Sequence, residues 1–284
     1  MRTYHECRPC FTRQAVEVGR MMAADERLAR QIVDETQKIT DAMDMTQPPP
    51  LASMNMYRMI RRLTGVNDPY HDYKRKTNRQ LMGMIERLRR EIRQSADPLL
   101  AAVLGAVSGN MIDCGINGQV SDEQIRAAFH DINETALIGE IGTFRSEVER
   151  AEKILYLADN SGEIVLDRLL IELLPAEKLT FVVRGGPIIN DVLMEDAAEV
   201  GLTDMVRVMD NGSDAPGTLL SQCSPEFQRA FDEADLIISK GQGNFETLND
   251  MKGRNIIFLL KIKCEVISRH TSMPLGTPLL YHVR

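Results

Sequence analysis

The chain has 284 residues, 43% of them hydrophobic and 26% charged, with 34 Lys and Arg against 41 Asp and Glu for a net charge of −7. Those values argue against wholesale disorder and low-complexity scaffolds, and the length suits one large domain or two ordinary ones. Five cysteines do not suggest a disulfide framework. No window reaches the roughly 18 apolar residues of a membrane span, the opening MRTYHECRPC has no signal-peptide core, and the acid excess argues against a dedicated nucleic-acid binder. The expectation is a cytoplasmic protein with neither membrane nor nucleic acid as partner.

The charge divides unevenly. Residues 1–150 hold 21 basic and 21 acidic side chains, residues 151–284 hold 13 and 20, and 11 of the 16 methionines fall in the first part. Methionine fills loosely specified helix interfaces, so the reading is a helical domain over 1–150 and a domain of different architecture over 151–284.

In the first part, residues 11–45 carry apolar side chains at helical spacing, among them Val18, Met21, Leu28, Ile32 and Val33. Pro48, Pro49 and Pro50 are expected to stop any helix. A second stretch holds Met56, Met59, Ile60 and Leu63, and a third runs from Asn78 to Ser95. The segment NDPYHDYKRKTN between them reads as a polar loop. DPLLAAVLGAVSG, from Asp97 to Gly109, suits a tightly packed helix, and VSDEQIRAAF has a helix start at Ser121. Residues 58–93 hold eleven basic and four acidic side chains, which reads as a solvated helix face plus a phosphate-facing loop in preference to a nucleic-acid patch.

After residue 150 short β-rich runs alternate with helical segments: KILYLA at 153, LTFVV at 179, MVRVM at 205, ADLIIS at 234 and NIIFLL at 255. Alternation of this kind implies right-handed crossovers and a parallel sheet covered on both faces, hence an α/β fold. Ligands of such sheets bind outside the carboxyl ends of the strands, and here those ends are polar. They carry Asp159, Asn160 and Glu163; then Arg184, Asn190 and Asp191; then Asp210, Asn211 and Asp214; then Lys240, Gly241, Gly243 and Asn244; and finally Lys261 and Lys263.

Asp and Asn oxygens suit a hard divalent ion, and no His and Cys cluster lies at these ends to favour structural zinc. Arg184, Lys240 and Lys261 supply positive charge, and glycine-flanked loops expose N–H groups to anions. Together they describe a metal-bridged phosphate site. KGQGN lacks P-loop spacing, and the DxDx[TV] nucleophile of haloacid-dehalogenase-type phosphatases is missing, so metal-activated water is preferred to an aspartyl-phosphate.

CRPC at Cys7, DPYHDYK at Asp68, GNMID at Gly109, LADNSGE at Leu157, VRGGPIINDV at Val183, NGSDAPGT at Asn211, ADLIISKGQGNFETL at Ala234 and LLKIKC at Leu259 resemble, in order and over nearly the whole chain, the damage-control phosphatases. These are the domain-of-unknown-function 89 family, also described as ARMT-like, and the CxxC resembles its short stand-alone prokaryotic and archaeal branch. The resemblance implies a Rossmann-like three-layer α/β/α core with an N-terminal helical region, and metal-dependent hydrolysis of phosphomonoesters. Its metal ligands fall on Asp159, Asn160 and Asp191. Its substrate-contacting positions fall on Glu163, Asp214, the loop from Lys240 to Asn244, and Lys261, with Asn110 and Asp113 closing the site from the helical side. Implied substrates are small phosphometabolites such as sugar phosphates.

The ion could be Mn²⁺, Mg²⁺, Co²⁺ or Ni²⁺, since oxygen ligands accept them all. Cys7 and Cys10 are half of a second metal site that Cys264 or His5 would complete, or else a redox pair or buried thiols. Two competing readings are an S-adenosylmethionine-dependent methyltransferase, against which stands DNSGE in place of a GxGxG turn, and a non-enzymatic RNA-binding protein, which leaves the polar strand ends unexplained. Oligomeric state is not encoded in any of these signals.

Overall fold

The computed structural model describes residues 1–22, 25–109 and 137–284. The readings placed on Asn110, Asp113 and Ser121 lie outside the described residues. A turn of 3-10 helix at His5–Cys7 leads into α1 (Arg8–Met22), and α2 (Glu26–Ala42) follows, its first turn capped by Asp25, whose carboxylate accepts from the Arg27 N–H at 2.8 Å. α3 spans Pro49–Thr64, so the three prolines begin a helix instead of stopping one. Pro48 is extended at φ −70°, and Pro49 and Pro50 occupy the first turn, where a missing N–H has no intrahelical acceptor to lose.

The segment expected to be a loop is also helical. α4 spans His71–Met82, and its buried face is made of Lys74, Thr77, Asn78 and Leu81, a largely polar stripe that apolar periodicity does not reveal. α5 (Ile85–Gln94) follows a break at Gly83. α6 (Pro98–Ser108), capped by Asp97 through the Leu100 N–H at 3.2 Å, is buried from Ala101 onward.

After α7 (Ile141–Arg150) the chain enters the sheet: β1 (Ile154–Leu157), α8 (Glu163–Ile171), β2 (Leu179–Val183), α9 (Met194–Glu199), β3 (Arg207–Asp210), α10 (Pro225–Glu233), β4 (Leu236–Lys240), α11 (Gly241–Leu248), β5 (Ile256–Lys261), α12 (Glu265–Thr271) and β6 (Pro278–Val283). The strand order is β3-β2-β1-β4-β5-β6. The first five strands are mutually parallel, and register pairs such as Tyr156 with Phe181 and Tyr156 with Ile238 flank β1 on both sides. The sheet is therefore mixed, because β6, which the alternation of runs does not announce, lies antiparallel on β5 with Leu259 opposite Leu280. Order reverses between β1 and β4, the switch point of a doubly wound sheet.

Packing does not break at residue 150. Leu88 and Ile92 of α5 and Val103 and Val107 of α6 share one apolar cluster with Ile164 and Leu170 of α8 and with Tyr156 and Phe181 of the sheet. The opposite face buries Leu157, Val182 and Phe258 under Phe227, Phe231 and Phe245. A third cluster joins Phe11, Val18, Ile32, Met56 and Ile60 of α1–α3 to Ile188 after β2. Tyr57, Tyr70 and Tyr73 belong to or pack on this third cluster, so the aromatics among the basic residues face inward.

The basic stretch is helical in place of the expected phosphate-facing loop. Arg62, Arg75, Arg90 and Arg93 lie exposed on the helices as a solvated face, while other members reach across to acids. Arg58 and Arg61 pair with Asp214, the fully buried Lys74 with Asp68 at 2.8 Å and Asp196 at 3.5 Å, Arg79 with Glu199 at 2.9 Å, and Arg89 with Glu172 at 2.6 Å. Except for Asp68, each acid lies beyond residue 150. No helix among the described residues is long and apolar enough to cross a membrane.

Leu170 is 0% exposed where α6 meets α8. Leu170→Ala should lower the unfolding free energy by ~2–5 kcal/mol, read from the denaturant midpoint at unchanged slope.

Candidate active site

Two loops that follow adjacent strands are sewn together by main-chain bonds. The Val192 N–H donates to the Asp159 carbonyl at 3.0 Å, the Arg184 N–H to the Val192 carbonyl at 3.0 Å and the Ser161 N–H to the Asn190 carbonyl at 2.8 Å. Asn160 and Asp191 form an isolated antiparallel bridge. This pairing brings the three expected ligands, Asp159, Asn160 and Asp191, from β1 and β2 to one place, and Asn190 contributes its backbone to it. Ile189, the residue before, sits at φ 44°, a left-handed conformation in which a β-branched side chain is strained.

The turn into α8 is braced from the helical side. Gly162 has φ 74° and donates its N–H to Asn78 Oδ1 at 2.7 Å, while Asn78 Nδ2 donates to Asp196 at 2.8 Å. A Cβ on Gly162 would come within 2.5 Å of Thr77. Asn160 Nδ2 donates to Asp159 at 2.6 Å and to Glu163 at 3.2 Å, which points the amide oxygen away from both acids.

Two buried cations answer the carboxylates. Arg184 donates from Nε to Asp191 at 2.7 Å and from NH1 to Asn244 Oδ1 at 3.2 Å, and its NH2 ends 3.9 Å from Asp159. Asn244 is fixed in turn by Thr218 at 2.9 Å and by the carbonyls of Ala158 and Lys240 at 3.1 and 2.9 Å. Lys240 departs from the expectation of a cation open to phosphate. It is 0% exposed, and its ammonium donates to Asp167 at 2.6 Å, to the Ala106 carbonyl at 2.9 Å and to Glu163. Being tied inward on all three sides, it positions the 163–167 turn. Asp214 is likewise engaged by Arg58 and Arg61, and so braces α3 against the sheet edge.

The remaining expected positions are structural or sit at the rim. Gly241, at φ +77°, would place a Cβ 1.9 Å from Asp159 Oδ2, and Gly243 one 2.0 Å from the Pro216 carbonyl, so both are required by close approach. Lys261 ends β5, nearly buried. Asn211 spends its side-chain oxygen on the N–H groups of Gly185 and Ser213 at 3.1 and 2.9 Å. Asp159, Asn160 and Asp191 open onto a cavity of about 540 Å³ shared by Lys263 and Gln242 from the sheet side and by Phe11, Pro50 and Ser53 from α1 and α3.

Electrostatics test whether a cation fits. Burial, together with the charges of Glu163 and Asp191, pushes Asp159 up to about 8. Burial raises Asp191 too, against the pull of Arg184, and takes Asp167 up to about 6 against Lys240. Burial works against the Lys240 ammonium, yet Asp167 and Glu163 together raise its pKa. Buried carboxylates that resist ionisation in the absence of an added positive charge are what an oxygen-ligated divalent ion would relieve. The residues present therefore fit the ion. A separate group, Asp68, His71 and Glu195, has ligand atoms within 4.8 Å of one another and could also hold a metal, though Asp68 already pairs with Lys74.

Sequence reasoning missed Asp167, Tyr156, Asn78 and Ile189. Asp167 had a signal: it lies four residues after Glu163 inside an apolar helix. Tyr156, which donates to Asp167 at 2.7 Å, is indistinguishable in sequence from a core aromatic.

Strand order and switch point define the class: a doubly wound α/β protein with a cluster of oxygen donors at the carboxyl ends of its first strands. The match of residues 3–279 to the damage-control phosphatase ARMT1-like domain places the chain in that family, in agreement with the resemblance of its motifs. It is 32% identical to a damage-control phosphatase of Archaeoglobus fulgidus, covering 95% of each chain, and 31% identical to one of Pyrococcus horikoshii, covering 97% of this chain and 96% of that one. An uncharacterised protein of Methanocaldococcus jannaschii is 29% identical over 97% of this chain and 93% of its own. The crystal structure of a DUF89 family protein from Pyrococcus horikoshii matches with a TM-score of 0.91 at 30% identity over the whole of both chains.

Lys240→Met should destabilise by ~3–5 kcal/mol, because it leaves Glu163 and Asp167 buried without a cation, and denaturant unfolding measures it. Gly241→Ala should abolish stabilisation of the protein by added divalent ions, measured as loss of the metal-dependent rise in Tm.

Proposed function

We propose that this protein is a divalent-metal-dependent phosphomonoester hydrolase acting on a small phosphorylated metabolite in the cytoplasm. The observation that carries this reading is the pair of buried carboxylates, Asp159 and Asp191, with the partly buried Asn160 between them, opening onto one end of a cavity. The names of the archaeal relatives support it. A cavity of about 540 Å³ falls in the range of roughly 300–1,000 Å³ that encloses small molecules, which favours a metabolite over a nucleic acid.

Asp159, Asp191 and the Asn160 amide oxygen would hold the ion. Mn²⁺, Mg²⁺, Co²⁺ or Ni²⁺ bound there would polarise a phosphoryl oxygen and supply an activated water. Arg184 orients Asp191 through Nε, and its NH2, with no hydrogen-bond partner among the described residues, keeps a positive charge beside Asp159. Glu163, held by Lys240, fixes the Asn160 amide nitrogen, so that the amide oxygen would be the atom offered to an ion. Lys263, whose charge already acts on Asp159, adds positive charge at the cavity wall where a phosphate would enter.

The test is release of phosphate from a generic aryl phosphate with each of the four metals, with and without chelator. Activity should require metal. Asp159→Ala should lower it by more than the ~10–100-fold that loss of an outer-shell partner costs. Absence of release with every metal, or activity indifferent to Asp159→Ala, would sink the proposal.

A further inference from the structure

The same cavity has a wall of different chemistry. Cys7, Cys10, Cys264 and Glu246 line it, although the first pair lies 236 or more positions before the other two. Cys7 closes the 3-10 turn before α1 and Cys10 lies in the first turn of α1, so the two thiols, three residues apart, share one helical face. Cys264 caps α12 just beyond Lys263, and Glu246 lies on α11. Gln242, one turn earlier on α11, donates its Nε2 to both Glu246 at 3.1 Å and Cys264 Sγ at 3.4 Å, so one amide links the thiol and the carboxylate.

These thiols differ from an ordinary core cysteine. Cys223 is buried and spends its S–H on the Leu219 carbonyl at 3.3 Å, whereas Cys7, Cys10 and Cys264 are all partly exposed. Burial pushes Cys7 up to about 11, and Glu246, Cys264 and Cys10 add to the rise; Cys10 is raised by burial and feels Glu246 and Cys264 as well. The four groups thus lie within one another's fields. A redox pair would use two of the thiols and leave Cys264 and Glu246 without a part.

We propose that Cys7, Cys10 and Cys264, with Glu246 as an oxygen donor, form a second metal site for a thiophilic divalent ion of the zinc type, distinct from the hard-ion site at Asp159, Asn160 and Asp191. Three thiolates and one carboxylate make a tetrahedral donor set that selects zinc over magnesium or manganese. The donors are spread more widely than those of Asp68, His71 and Glu195, so the site requires them to draw in to Zn–S distances of about 2.3 Å. Closure ties the N-terminal turn to α11 and to the loop between β5 and α12, fixing one wall of the catalytic cavity.

The experiment uses the full-length protein, purified under reducing conditions, with metal content by mass spectrometry and Co²⁺ titration monitored for the thiolate-to-cobalt charge-transfer band in the near ultraviolet. Wild type and Asp159→Ala should both bind zinc stoichiometrically and show the band. Cys7→Ser and Cys264→Ser should lose both zinc and band. Glu246→Gln, which keeps side-chain volume and so guards against misfolding of the cysteine variants, should keep the band with weakened affinity. A wild type without a thiolate–cobalt band, or a band that survives Cys264→Ser, overturns the site. Because Asp159→Ala reports on the other metal alone, failure here is distinguishable from failure of the hydrolase reading.

Discussion

A buried carboxylate costs several kcal/mol unless a cation answers it, and at the carboxyl ends of β1 and β2 four of them, Asp159, Glu163, Asp167 and Asp191, are withdrawn from water. Arg184 and Lys240 answer them in different ways. Lys240 binds both Glu163 and Asp167 and anchors them to α6 through the Ala106 carbonyl, its single charge meeting two carboxylates. Arg184 is spread over Asp191, Asn244 and the approach to Asp159, and the carboxylates around it remain in excess. Each cation thus answers two carboxylates, and of the two deficits of positive charge the one at Asp159 and Asp191 faces the cavity. Everything nearby serves to hold that deficit in place: the main-chain stitching between the two loops, the glycine at 241 without room for a side chain, and the strained backbone at Ile189.

The uneven charge of the chain has the same origin. Basic side chains between residues 58 and 93 reach across to acids beyond residue 150, joining Arg58 and Arg61 to Asp214, Lys74 to Asp196, Arg79 to Glu199 and Arg89 to Glu172. The solvent-exposed members of this set contribute little to stability individually. Lys74, fully buried, is different, because it connects α4 to the N-terminal turn of α9 while its helix neighbour Asn78 braces Gly162. Apolar burial attaches α5 and α6 to the sheet, and charge pairs set how α3 and α4 lie over the polar edge.

The parallel strands were legible because each is an apolar run bounded by polar residues, and the switch point turned the polar residues into a site: Asp159, Asn160, Asp191 and Arg184 were all visible this way. What was illegible follows physical lines. α4 hides because its inner face is polar. The prolines at 48–50 mislead because the same ring that breaks a helix interior suits a first turn. β6 lies on the sheet edge, antiparallel, outside the βαβ rhythm. Lys240 and Asp214 have the right chemistry for a phosphate site, but partners supplied by distant segments, Asp167 and Ala106 for one and Arg58 and Arg61 for the other, engage both. No local pattern records a partner 150 residues away.

The switch point carries a temporal consequence. β1 is flanked by β2, which follows it closely, and by β4, about eighty residues later in the chain. Asp159 can be enclosed only once Gly241 has been placed against it, and Arg184 can be held only once Asn244 exists to receive it. During synthesis, which proceeds from the N-terminus at about 5–20 residues per second, the carboxylates of β1 and β2 emerge long before the strand that shuts them in. The nascent chain thus exposes the carboxylates without the cluster, and their burial is a late, cooperative event that reports completion of the sheet.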